Sequence, residues 1–184
     1  MKKLVVFAAC TMLAAVTQAA AVGWSLSGAN SYANDSYQMF VIGQKGATDI
    51  ATIVALLDAG KDTSSYAFGS GAISSTGLAT VTAASSGKTL DAGTYTAFFV
   101  VFDDASPAAG SANYAVISGA ANLTKTIGAT TASMQFVAGN QSTYLNDTKN
   151  WKSFGPTSGG VPEPTSGLLL LVGAGMLALR RKQK

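Results

Sequence analysis

The stretch Tyr95–Phe102, reading Tyr-Thr-Ala-Phe-Phe-Val-Val-Phe, constrains the fold more than any other segment of the chain. Its β-branched and aromatic residues favour an extended, pleated backbone. On a period of two, Tyr95, Ala97, Phe99 and Val101 face one way, while Phe98, Val100 and Phe102 face the other. Both faces are apolar, so the segment is expected to be a central strand buried on two sides. A strand of that kind needs paired neighbours and a covering layer on each face.

Neighbours are available along the sequence. Tyr37–Ile42 is a second strong strand candidate, and shorter ones are Gly23–Leu26, Tyr66–Ser74, Leu78–Ala83, Tyr114–Ser118, Leu123–Ile127 and Ser133–Val137. Turns rich in Gly, Ser, Asn and Asp separate them, and many short strands at regular spacing argue for a β-sandwich of jelly-roll or immunoglobulin-like type. Leu90-Asp91-Ala92-Gly93-Thr94-Tyr95 fits the Leu-x-x-Gly-x-Tyr pattern of a tyrosine corner, which would bond the Tyr95 hydroxyl to upstream backbone. One short helix is expected: Thr48 as cap, Ile50, Ile53, Val54 and Leu57 on one stripe, and Gly60 as terminator. That stripe reads as a core contact. With only 11% charged residues, and with aromatic and β-branched clusters recurring, the chain is neither a charged disordered polymer nor a coiled coil. Its 184 residues, less the two ends, leave one domain with a real core.

The ends read differently. Lys2 and Lys3 precede an apolar run, Leu4–Val16, of the length of a secretory h-region, and small residues follow. Residues 1–19 are therefore expected to be a signal peptide cut between Ala19 and Ala20; a cut after Ala21 also satisfies the small-residue rule. Cleavage removes Cys10, leaving no disulfide, thiolate or cysteine metal ligand. At the other end, residues 155–160 form a Gly/Ser/Pro linker, followed by Val161, Pro162, Glu163 and Pro164, an apolar run Gly167–Leu179, and the basic cluster Arg180, Arg181 and Lys182. Thirteen helical residues reach about 20 Å, short of the roughly 30 Å hydrocarbon core of a bilayer. Such a segment lodges in a membrane marginally, with its cations held on the cytoplasmic side. The two prolines keep the chain extended just outside.

The arrangement of residues 161–184 resembles the PEP-CTERM sorting domain of Gram-negative bacteria. The resemblance implies a protein exported with the help of signal peptidase and held briefly in the inner membrane by the hydrophobic C-terminal helix. An exosortase-like membrane protease would then process it near Pro162–Pro164 and pass it to the cell surface or extracellular matrix. An uncut tail would instead be a permanent membrane anchor.

Charge and residue types narrow what residues 20–154 do. Six of the twelve Lys and Arg residues lie in the two ends, and eight Asp residues lie between them. The domain is slightly acidic, with no basic stripe for nucleic acid. It has no His, Arg, Glu or Cys. This removes Ser-His-Asp and Cys-His catalysis, the usual zinc sites and Glu-based glycoside hydrolysis. No Gly-x-x-x-x-Gly-Lys phosphate loop occurs either. The expectation is a non-catalytic domain without a cofactor. Asp103 and Asp104 are the best candidates for a calcium site, although no spaced Asp-x-Asp-x-Asp loop accompanies them. Trp24 and Trp151 are the residues a polysaccharide-binding face would use, against the simpler reading that they fill the core or seal a sheet edge.

Overall fold

The computed structural model describes residues 19–156 apart from Lys45 and Thr48. Its strands are β1 (Ala20–Ser27), β2 (Ser36–Val41), β3 (Gly69–Ala72), β4 (Ala79–Val81), β5 (Thr89–Leu90), β6 (Gly93–Phe102), β7 (Asn113–Ile117), β8 (Thr124–Ile127), β9 (Ser133–Asn140) and β10 (Trp151–Ser153). The helices are α1 (Ile50–Asp58) and two single turns, α2 (Ala83–Ser86) and α3 (Ser142–Leu145). Among the described residues the protein is thus mostly β, with three helical elements of this kind where one was expected. The two extra ones are four residues each, too short to leave a periodic signal.

The larger sheet has the order β10-β7-β6-β2-β3, all antiparallel, with β8 added on the first residues of β6. Where β8 joins, the Thr94 and Thr126 hydroxyls lie 3.0 Å apart, as do those of Thr96 and Thr124. In the smaller sheet β1 is central. β4 and β5 pair antiparallel with its two halves, and β9 runs parallel to it from Ala21 to Ser27. A parallel pair joins segments far apart in the chain. Here it fastens the start of the domain to a strand more than a hundred residues later.

β6 is the strand the sequence predicts. Ala97, Phe99 and Val101 enter one core cluster; Phe98, Val100 and Phe102 enter another. The first cluster lies between the sheets and adds Val22, Trp24 and Leu26 of β1, Phe136 of β9, and Tyr37 and Met39 of β2. On the opposite face, Ile53 and Leu57 of α1 and Phe154 cover Phe40, Phe98, Phe102 and Tyr114. Phe40 and Phe98 stack there with centroids 4.9 Å apart. The order is therefore small sheet, large sheet, helix, and the α1 stripe is a core contact as expected.

Two local expectations need correction. The cap of α1 is Asp49, whose carboxylate accepts the Thr52 amide at 2.6 Å; Thr48 lies outside the described residues. The helix does end at Gly60. With φ +67°, Gly60 donates its amide to Leu57 O and lets Lys61 N reach Leu56 O, a Schellman closure. Tyr95, in turn, forms no tyrosine corner. It is already inside β6, opposite Lys125, with its ring packed over Gly93, and its hydroxyl has no hydrogen bond among the described residues.

Candidate functional site

Trp24 is held in the core rather than presented on a face. It is 3% exposed, donates its indole N–H to the Tyr37 hydroxyl at 3.0 Å, and meets the Phe68 ring edge-on at 6.4 Å. Gly69 makes room for it, since a Cβ there would lie 2.4 Å from the indole ring. Burial pushes the Tyr37 hydroxyl above its ordinary range, and the indole donor partly offsets this. At 3% exposure its indole offers little face for a sugar to stack on.

Trp151 sits at the edge of the larger sheet, on β10, opposite Ala115. Its ring packs against Tyr32 at 4.5 Å. The Trp151 indole N–H and the Tyr32 hydroxyl both donate to Leu145 O, at 2.7 and 2.9 Å. Tyr144 seals the same edge by donating to Val116 O at 2.8 Å. The polar ends of these aromatics are used to fasten α3 and the final strand to the sheet. Trp24 and Trp151 lie on different sheets and make no common surface.

Asp103 and Asp104 follow β6, and each is occupied with loop construction. The Asp103 carboxylate accepts both the Asn113 amide and the Asn113 Nδ2, at 2.6 and 2.7 Å, closing the turn between β6 and β7. Asp104 accepts from Ser106 N at 2.7 Å, and its carbonyl accepts from both the amide and the hydroxyl of Ser36. Asp35 lies close enough that its own burial, then the charges of Asp103 and Asp104, raise its pKa above the ordinary 3.8. Among the described residues no group of three or more His, Cys, Asp or Glu side chains is arranged to hold a metal ion. The adjacent pair reads as an ordinary strand-end turn.

One concave feature has no counterpart in the sequence pattern. A cleft of about 360 Å³ opens beside Trp24 and Phe68; Ser64, Gly69 and Ser70 form one wall, and Val81, Ser85, Ser86 and Lys88 form another. These residues come from β1, the turn before β3, β3 itself, β4, α2 and the approach to β5. No fixed spacing links them, so no motif could have revealed the site.

The expected address segments flank this domain. Ala20 is the first residue of β1, wholly buried and paired with Leu90, while Ala21 pairs with Thr89 and Ser133. A chain beginning at Ala20 keeps all of β1; one beginning at Val22 loses both pairings to β5. At the other end Gly155, the first residue of the expected linker, still donates its amide to Leu57 O at 2.8 Å. Residues 1–18, the sorting residues Val161, Pro162, Glu163 and Pro164, the apolar run 167–179 and the cluster Arg180, Arg181 and Lys182 lie outside the described residues. Among the described residues no helix is long and apolar enough to cross a membrane.

No curated protein and no solved structure matches the chain. Residues 160–183 match the family model of the PEP-CTERM protein-sorting motif, so the segment expected from its Val-Pro-Glu-Pro start, apolar run and basic end is a PEP-CTERM sorting tail.

Proposed function

We propose that this is an exported, non-catalytic surface or matrix protein of a Gram-negative-type bacterium, in which a β-sandwich domain is displayed and a processed tail governs where. The single observation that carries the reading is the sorting motif at residues 160–183, placed directly after a folded domain. In this reading residues 1–19 are removed by signal peptidase. The strand pairing of Ala20 and Ala21 favours that cut over one after Ala21. The apolar run 167–179 then holds the protein in the inner membrane until an exosortase-type protease acts near Pro162–Pro164.

The non-catalytic part rests on chemistry. A domain without His, Arg, Glu or Cys has few groups that transfer protons near neutral pH. Of the domain's Asp carboxylates, the adjacent pair Asp103 and Asp104 is engaged in turn hydrogen bonds. The sandwich assignment draws support from the apolar cluster shared by both sheets. Its parallel β1–β9 pair departs from a purely antiparallel jelly roll.

Replacing Pro162, Glu163 and Pro164 together by Ala in the native host tests the sorting role. The expected result is accumulation of a precursor in the membrane fraction and its loss from the surface and medium. An unchanged distribution and mass would overturn processing at this motif. Turnover of any substrate by the purified protein, abolished by one Asp→Asn change, would overturn the non-catalytic reading.

A further inference from the structure

We infer that the cleft beside Trp24 binds a small hydroxylated anion, of the class of a uronic acid unit in a saccharide, with Lys88 as the group that pairs with its carboxylate. The inference gives the displayed domain a ligand. It rests on the folded domain alone and not on how the tail is processed.

The cleft, at about 360 Å³, is within the size range of small-ligand sites. Its floor is rigid: the Trp24 indole is fixed by Tyr37 and Phe68, and its only donor is already used. The floor therefore supplies shape, and recognition falls to the walls.

The hydrogen bonds within the walls define what they can still do. Ser64 Oγ donates to the Asp62 carboxylate at 2.8 Å, and Ser86 Oγ donates to Ala83 O at 3.2 Å. Ser85 Oγ is paired with Thr82 at 2.8 Å. With their protons engaged, Ser64 and Ser86 can only accept from a ligand. Ser70 Oγ and the Lys88 ammonium have no hydrogen-bond or ion-pair partner among the described residues. Lys88 is half-buried, with its backbone fixed by the Ser86 hydroxyl on one side and by the β1 amide of Val22 on the other.

A lysine ammonium at the cleft wall, with no ion-pair partner among the described residues, favours an anionic occupant. Walls rich in acceptor lone pairs favour an occupant that also brings O–H donors. Inorganic phosphate satisfies the first demand and largely fails the second, and a neutral sugar does the reverse. A carboxylated sugar meets both. The open side of the cleft admits either a free monosaccharide or one unit of a chain.

The test is calorimetric titration of the purified full-length protein with galacturonate, trigalacturonate, maltotriose and inorganic phosphate. Trigalacturonate is expected to bind, with an affinity that falls as salt is raised. Lys88→Gln is expected to weaken it about ten-fold or more, as loss of a charged hydrogen bond does. Lys88→Arg should retain most of the binding, Ser70→Ala should lose about three-fold, and Lys125→Gln, on β8 away from the cleft, should match the unaltered protein. Galacturonate binding as well as the trisaccharide would place a single unit in the cleft; clearly weaker binding would show that the chain extends through its open side. No binding of either uronate, equal binding of maltotriose or phosphate, or indifference to Lys88→Gln in a variant with an unchanged melting temperature would overturn the proposal. Tail processing plays no part in the titration, so its outcome is separate from that of the sorting experiment.

Discussion

The folded domain and the sorting tail put their distinctive residues to opposite uses. In the domain, the side chains that look chemically suggestive in sequence are occupied by the fold: Trp24 bonds Tyr37, Trp151 bonds Leu145 O, and Asp103 holds Asn113. In the tail, Pro162, Glu163 and Pro164 form part of a linear motif that is recognisable from sequence alone. A linear motif keeps its meaning wherever it is placed, whereas a residue in a core has meaning only through its neighbours. The same contrast explains why the address could be read and the ligand site could not.

If the two regions are independent, each can be broken without the other. The largest effect is expected from the tail. Transplanting residues 155–184 onto an unrelated exported domain should carry processing with it, read as a mass shift of the fusion on gels. An unprocessed fusion would mean that the domain contributes to recognition.

Next is Trp24→Ala, which leaves a cavity between the sheets and an unpaired Tyr37 hydroxyl. A loss of about 3–5 kcal/mol is expected in denaturant unfolding, with processing of whatever folds unchanged. A smaller effect is expected at the strand-end turn, where Asp103→Ala releases two hydrogen bonds to Asn113 and should cost about 1 kcal/mol in the same assay.

The smallest effects are electrostatic and opposite in sign. The folded pKa of Asp35 is raised, by burial and then by Asp103 and Asp104, so its charge opposes folding once the pH exceeds the ordinary 3.8. Asp35→Asn should therefore raise the melting temperature slightly at pH 7, and the gain should vanish as the pH falls to 3.8 and below. Asp49 has its pKa lowered by the Thr52 amide, so its contribution is present above the ordinary 3.8 and is lost as the pH falls from there through the lowered folded value. Asp49→Ala should be slightly destabilising at pH 7 and neutral in acid. Melting curves across pH distinguish the two.

Much of the architecture was legible because it depends on local pattern. The alternation in Tyr95–Phe102 identified a strand buried on both faces, and its two residue sets match the two core clusters. The α1 stripe and Gly60 likewise act within one helix. Pairings that depend on distant partners were not legible: β5 is two residues long, and the β1–β9 parallel pair has no mark in either strand. The tyrosine-corner pattern failed because six residues cannot say whether a tyrosine precedes a strand or already lies within its ladder. The tryptophans suggested a binding face by residue type, yet Phe68, Gly69 and Tyr37 enclose one and Tyr32 covers the other. The cleft draws on residues from Trp24 to Lys88 and exists only once the strands are assembled.

The most direct test of the central claim, a displayed domain released from a sorting tail, is intact mass spectrometry of the protein recovered from the surface and medium of its native host. The expected species begins at Ala20 and ends near Pro162–Pro164. A mature species still ending at Lys184 would contradict the claim and make the tail a permanent anchor.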